Sequence, residues 1–456
     1  MKNRIISPTS ALLILPVIFI LVITACSHKT NSFAESESDE YDGPELAAKY
    51  EFNRTKDPAT GRVPRERLIA ALDQTRQSKQ AAMNRIEALA WQERGPNSDA
   101  IGPSSGNPRA NSGVASGRIR AIMVDSSDAT HKTVFIGGVD GGLWKTTDIT
   151  ASPATWTIVN DYLSNLAIAD ICQDPRPGFQ NIMYFCTGES YYNIDAVQGN
   201  GVFRSTDNGV SWTYLASTSA FQNCTRIRCD FQGNIYLGTR GSGLRRSTAA
   251  SGGAAWTDIT PTGLPADICD LEISSTSAAG RLHVVTGIFS TQAYRYTDIP
   301  ATVASGTWTA PAVAFPSFTM RAEIACSGST LYALPANGSY QVPTIYKSTN
   351  GGANWAATGG QPSAGWASGQ GWYALAVAID PSDPNSCIVG GLDTWKTTNG
   401  GTSWSQISTW VGSTPVNQYV HADLHNITWY DGGNKLIFGC DGGVHYSADK
   451  GATIRD

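Results

Sequence analysis

The sequence predicts an all-β chain folded as a seven-bladed β-propeller, on three observations. A template, Ser/Thr-x-Asp/Asn-x-Gly-x-x-Trp, recurs about every fifty residues. Between its copies lie runs of five to eight apolar and β-branched residues bounded by Asp, Pro and Gly, which read as short strands joined by tight turns. The composition agrees: 46 Gly, 13 Trp and 17 Tyr among 456 residues, with only 16% charged, suits a turn-rich β-protein and excludes a coiled coil or helical bundle. Net charge is −5, from 33 basic and 38 acidic residues with no Lys/Arg run, so a basic face for nucleic acid is not expected.

From the N-terminus, Lys2 and Arg4 precede an apolar run over 11–25 that is broken by Pro16. That run is too short to span a bilayer and has the layout of a secretory signal, so residues 1–25 are read as a signal peptide. It ends Ile23-Thr24-Ala25-Cys26, which resembles a bacterial lipobox and implies a lipid anchor on Cys26. Cleavage there removes two positive charges and leaves the mature chain at −7. Residues 26–62 read as a polar tether, crowded with Glu35, Glu37, Asp39, Glu40, Asp42 and Glu45 and unable to bury much apolar surface. Pro64 suits a helix start, and Leu68, Leu72, Met83, Ile86 and Ala90 form an apolar stripe, so 63–90 is expected to be a helical arm before a propeller over 91–456. Eight further cysteines are scattered through strand-like runs without the CxxC pairs of a zinc site, and no disulfide connectivity follows from them.

The clearest template copies are Ser205-Thr-Asp207-Asn-Gly209-Val-Ser-Trp212, Ser348-Thr-Asn350-Gly-Gly352-Ala-Asn-Trp355 and Thr397-Thr-Asn399-Gly-Gly401-Thr-Ser-Trp404. Looser copies end at Trp156, Trp256 and Trp308, and the six tryptophans fall 56, 44, 52, 47 and 49 residues apart, one four-stranded blade per interval. Oxygens at the first and third positions can accept N–H groups of their own turn, the Gly supplies a positive φ, and the Trp is expected to pack between blades. Blades then fall near 113–163, 164–219, 220–260, 261–314, 315–360, 361–412 and 413–456. The last copy, Ser447-Ala-Asp449-Lys-Gly451, has Ile454 in the Trp place and stops before an outer strand. Trp91 and its neighbours over 89–95 are expected to pair beside that blade and close the ring; alternatively the sequence is cut from a longer protein.

The template is identified as the Asp-box, or BNR repeat. From Trp91 onward the chain resembles exported Asp-box proteins of Bacteroidetes-type bacteria, related to sortilin-type and xyloglucanase-type propellers, on residues 137–145, 187–193, 369–373, 421–425 and 440–443. The resemblance implies an address outside the cell or on the outer membrane, and turns in which Asp207, Asn350 and Asn399 are structural. Val139-Asp140-Gly-Gly-Leu-Trp-Lys resembles a xyloglucanase segment whose Asp is one of two catalytic carboxylates, which implies Asp140 as the base of an inverting hydrolysis. Such a reaction needs a second carboxyl about 6.5–9.5 Å away, and in that family it comes from a second propeller, so strong polysaccharide hydrolysis by this chain alone is not expected. Asp393 and Asp441 repeat the Asp140 position, which favours a turn role for all three. Sialidases share the Asp-box and need three arginines and an Arg-Ile-Pro segment; Arg118-Ile-Arg120 and Arg226-Ile-Arg228 lack the proline, although Arg321 adds an arginine on a third blade.

Two functions stay open. In the first, the starts of the inner strands form a binding rim for an extracellular glycan or protein, with Arg118, Arg120, Asp170, Arg226, Arg228, Asp267, Arg321, Glu323, His421, Asp423 and His425 supplying polar groups and Trp372 and Tyr373 stacking on sugar faces. In the second, the chain is a glycoside hydrolase with Asp140 and Glu189 as carboxylates. Glu189 sits beside Tyr191 and Tyr192 in a polar insertion of the second blade, where function or a bridging loop are both read. His421, Asp423 and His425 alternate, which would place a divalent-metal set on one face of a strand, though a hydrogen-bonded network fits better and no cofactor is expected.

Overall fold

The computed structural model describes residues 44–64, scattered positions between 67 and 81, and 116–455 apart from 192–196, 300–306, 364–365 and 411–417. Trp91 lies outside the described residues. A helix, α1 (Pro44–Thr55), falls inside the stretch read as a tether. Pro44 takes the first helical position, where its missing N–H costs nothing, and Glu45, Leu46, Ala47, Ala48 and Lys49 are strong helix formers that outweigh the acidic run before them. The described positions between 67 and 81 are helical.

Seven antiparallel sheets follow in chain order. Blade 1 is β1 (Ile119–Val124), β2 (Val134–Gly138), β3 (Gly142–Thr146) and β4 (Thr157–Ile158). Blade 2 is β5 (Ile168–Gln173), β6 (Met183–Thr187), β7 (Val202–Ser205) and β8 (Thr213–Tyr214), and blade 3 is β9 (Cys224–Cys229), β10 (Ile235–Thr239), β11 (Leu244–Ser247) and β12 (Thr257–Asp258). Blade 4 has β13 (Ile268–Ser274), β14 (Arg281–Thr286) and β15 (Ala293–Asp298), with Thr309 bridging Tyr296 in the outer place. Blade 5 is β16 (Ala322–Ser327), β17 (Thr330–Pro335), β18 (Tyr346–Ser348) and β19 (Ala356–Ala357); blade 6 is β20 (Ala376–Ile379), β21 (Cys387–Gly390), β22 (Thr394–Thr397) and β23 (Ser405–Ser408). Blade 7 has β24 (Leu424–Tyr430), β25 (Lys435–Cys440) and β26 (Gly443–Ser447). The innermost strand of each blade packs on that of the next, and β24 returns to β1, so the ring closes.

Each seam between consecutive blades holds its own apolar core, and the template residue sits in it. Trp212 joins the blade 1–2 core, Trp256 the 2–3 core, Trp308 the 3–4 core, Trp355 the 4–5 core and Trp404 the 5–6 core. Trp156 joins the core between blades 7 and 1. In the blade 6–7 core the template place is taken by buried Ile454. Arg455 then pairs with Tyr446 of β26, so an outer strand is begun where none was expected. A β-branched side chain fills that seam well enough, because the site asks for apolar volume and not for an indole.

The turn of the template closes as its residue types require. The Ser205 hydroxyl donates to Asp207 Oδ1 at 2.7 Å and accepts from Gly209 N at 2.9 Å, and Asp207 Oδ1 accepts from Ser211 N at 2.9 Å. Ser348 and Asn350, Thr397 and Asn399, and Ser447 and Asp449 repeat the arrangement. Gly352 has φ +83 and lies against the Tyr294 ring of the preceding blade, where a Cβ would collide with the hydroxyl.

Five innermost strands carry a bulge at the same height: β1, β5, β9, β13 and β24 each slip one residue against their partner near the start. The unpaired residues are Arg120, Ala169, Thr225, Cys269 and His425. A bulge breaks the two-residue alternation and re-aims a side chain, which is how Arg120 and His425 come to line the axis.

Cys172 on β5 and Cys229 on β9 bring their sulfurs to 3.5 Å across the blade 2–3 seam as free thiols. Oxidised glutathione is expected to join them, and peptide mapping under non-reducing conditions checks this; a pair that stays reduced after exhaustive oxidation contradicts it.

Candidate functional site

The axial face is built where the innermost strands begin. Arg118 Nη1, just before β1, donates to the Tyr373 hydroxyl at 2.9 Å, and that hydroxyl donates in turn to the Asp441 carboxylate, 3.1 and 3.0 Å from its two oxygens. His425 Nε2 stands 2.6 Å from Asp441 Oδ1, and its ring meets Tyr373 edge-on at 4.8 Å. Burial, with the charge of Arg120 beside it, lowers the His425 pKa to about 4, so at neutral pH it is an uncharged donor. Burial works against ionising Asp441, but His425 and the guanidinium groups of Arg118 and Arg120 outweigh it and hold the carboxyl below its usual value. Arg118 and Asp441 keep 16% and 23% of their side chains exposed, and the Trp372 ring lies 5.2 Å from that of Tyr373, half-buried.

Beneath this relay residues 189–191, which follow β6, plug the channel. Glu189, 1% exposed, lies 3.6 Å from Arg118 and 3.3 Å from Arg120, and accepts from Val197 N at 3.1 Å. Tyr191 is buried with its hydroxyl donating to the carbonyl of Cys269, and Arg321 lies over its ring at 3.6 Å. Glu189 is therefore an anchor of the plug, shut away from any substrate. Tyr192 lies outside the described residues.

Below the plug the arginines are spent on internal ion pairs. Arg226 reaches Asp270 at 2.8 Å and Glu323 at 2.5 Å; Arg228 reaches Glu272 at 2.7 Å and also Asp170; Arg321 pairs with Glu323 and donates to the Tyr373 carbonyl at 2.9 Å. Asp170 and Asp270 further accept from Ile227 N and Ile324 N on the neighbouring blades, stitching inner edges that have no ladder partner on the axial side. A cavity of about 220 Å³ lies among these groups. Arg226, Arg228 and Arg321 thus belong to the channel wall and not to an open rim, which also separates them from a substrate carboxylate.

Two further expectations are corrected. His421, Asp423 and His425 do not share a strand face: β24 starts at Leu424, Asp423 has φ +63, and the bulge at His425 breaks the alternation. No group of three His, Cys, Asp or Glu placed to hold a metal occurs among the described residues. Asp140 occupies the β2–β3 turn, exposed and at φ +61. Its repeat equivalent Asp393 accepts from Trp410 N at 3.3 Å, whereas Asp441 turns into the axis. Asp441 is the site residue that sequence reasoning left as a turn; its signal was the conjunction of Cys440-Asp-Gly-Gly443 with the aromatic and histidine segments at 369–373 and 421–425.

No protein-family model matches the chain, and no curated protein matches it in sequence. In structure it is similar to a GH74 enzyme of Niastella koreensis, at a TM-score of 0.54 and 19% identity over 75% of this chain and 53% of that one. It is similar to the GH74 xyloglucanase of Xanthomonas campestris at 0.56 and 18% identity over 74% and 54%. A third likeness, at 0.51 and 12% identity over 73% and 38%, is to the extracellular domain of a B. thetaiotaomicron protein described as a one-component system. The chain thus spans about half the length of the two GH74 proteins. No helix among the described residues is long and apolar enough to cross a membrane. At such identities the likeness shows the fold, and that fold is a seven-bladed all-β propeller.

Proposed function

We propose that this chain is an exported Asp-box propeller, held to the membrane through a lipid on Cys26, that binds a glycan or protein on the axial face where its inner strands begin. The observation that carries the reading is the ordered relay of Arg118, Tyr373, Asp441 and His425 beside a half-buried Trp372, with the plug of Glu189 and Tyr191 as its floor. Fixed donors and acceptors next to an indole face suit a sugar ring, whose hydroxyls need oriented partners and whose C–H face stacks on aromatics. The likeness to an extracellular domain supports the address. On a glycan array, Trp372→Ala and Asp441→Asn are each expected to lower binding at least tenfold, about 1.4 kcal/mol; binding unchanged in both variants overturns the assignment of this face.

A second reading, glycoside hydrolysis, has one observation in its favour: Asp140 is exposed on the turn that follows β2, at the same end of the blade as Arg118. Screened on xyloglucan, mixed-linkage glucan and sialosides, the mature chain is expected to release no product. Cleavage that disappears in Asp140→Asn would establish the hydrolase instead.

A further inference from the structure

We propose that the small cavity beneath the plug is a binding site for a monovalent inorganic anion of halide size. Its volume is about 20 Å³, room for a single small occupant. Arg120, Arg226, Arg321, Tyr191 and His425 all line it. Two of these guanidinium groups have an N–H donor with no hydrogen-bond acceptor: Nε of Arg120, which is 7% exposed and whose Nη2 stands 3.3 Å from Glu189 Oε1, and Nε of Arg321, which is 2% exposed. A buried charged donor left without an acceptor is costly, and two converging on one void call for a shared acceptor.

The chemistry of the lining selects the occupant. Arg226 already serves Asp270 and Glu323, so it adds charge to the cavity without needing a partner there. The Tyr191 hydroxyl is committed to the Cys269 carbonyl, the Ser190 hydroxyl to the Cys224 carbonyl, and His425 Nε2 to Asp441. A water molecule in the cavity would accept from the guanidinium groups but must also place its own two protons, for which the lining side chains offer Thr225 Oγ1, a hydroxyl buried without a partner that can equally turn its proton toward an anion. An anion accepts from every donor and offers none. It also relieves the crowding of like charge: burial lowers the Arg321 pKa to about 10, and Arg226 and Arg120 press it in the same direction. A sulfate or phosphate is too large for the space. Because Arg321 packs on the Tyr191 ring and Arg120 faces Glu189, the ion would pin both anchors of the plug, independently of what the face above it binds.

The test is thermal melting of the full mature chain in sodium chloride or bromide against sodium gluconate at equal ionic strength. A saturable rise in Tm of about 3 °C with either halide is expected, the size mass action gives when the ion stands well above its dissociation constant. In Arg120→Met the halide and gluconate curves are expected to coincide, and in Arg120→Lys, which keeps the charge but loses the fork, the half-saturating concentration is expected to rise about tenfold. Crystals grown in bromide are expected to show an anomalous peak between Arg120 and Arg321. Equal Tm in chloride and gluconate for the wild-type chain, a shift that never saturates, or a halide effect that survives in Arg120→Met or is undiminished in Arg120→Lys overturns the proposal.

Discussion

Replacing Arg226 by Met is expected to destabilise the propeller by about 3–5 kcal/mol, which places the loss in Tm on the order of 10 °C. Arg226 is the hub of three blades: from β9 it holds Asp270 on β13 and Glu323 on β16, and these carboxylates are 0% and 2% exposed. Methionine fills the volume but leaves both charges without their shared cation. Asp270 has no cheap escape, since its oxygens also accept from Leu271 N and Ile324 N and hold the inner edge of blade 5. Chemical denaturation of the variant at pH 8 checks this. A deficit under 1 kcal/mol at pH 8 would show that water in the 220 Å³ cavity already solvates the two carboxylates.

The fold was legible because the information that specifies it is local. The template closes through bonds between residues two and four apart, such as Ser205 to Asp207 and Gly209 to Ser205, so a window of eight residues contains its whole cause. The repeat period then gives the number of blades, and every sheet falls inside its expected interval. At the last seam the template has Ile454 where six copies have an indole, and Ile454 is buried in the core between blades 6 and 7. The helix α1 escaped, because a short run of good helix formers sits beside a longer run of acid that dominates the composition.

The site was legible in its residue types and not in its geometry. Arg118, Tyr373 and His425 were all assigned to the axial rim, but which of them touch is decided across the axis, between residues 255 positions apart in the case of Arg118 and Tyr373. Three aspartates share one repeat position. Asp140 is exposed on its turn, Asp393 accepts from Trp410 N, and Asp441 meets a histidine and a tyrosine. The bulge explains why His421, Asp423 and His425 do not share a face, because alternation along 421–425 presumes an unbroken strand and His425 is the extra residue of a bulge. The arginines at 226 and 228 looked available because their partners Asp270, Glu323, Asp170 and Glu272 come from other blades, whereas Arg321 pairs with Glu323 only two residues on.

The same burial that quiets the channel should make the protein acid-labile above the range where carboxylates titrate. His283 is fully buried between Ser274 Oγ at 2.8 Å and the Tyr294 hydroxyl at 2.7 Å, and burial, with Arg281 nearby, lowers its pKa to about 3; His425 is lowered to about 4. Both are expected at about 6.5 in the unfolded chain. A histidine whose folded pKa is depressed is neutral in the native state while the unfolded state takes up a proton, so stability is full above pH 6.5 and is lost as pH falls toward 4 and then 3. Near pH 5 the two together bind about two more protons unfolded than folded, a slope of about 2.7 kcal/mol per pH unit. Aspartates such as Asp441, whose carboxyls are held low, begin to matter only below that window. Urea unfolding between pH 6 and 5 reads the slope directly, and His283→Gln, which keeps a polar group between Ser274 and Tyr294, is expected to cut it by about one proton. If the slope is the same in the variant, His283 is not held neutral by its burial. If it falls by one proton and the remainder disappears in His425→Gln, the acid sensitivity is divided between the seam of blades 4 and 5 and the floor of the axial face, and lowering pH through 5 would loosen the relay to Asp441 before the carboxylates themselves titrate.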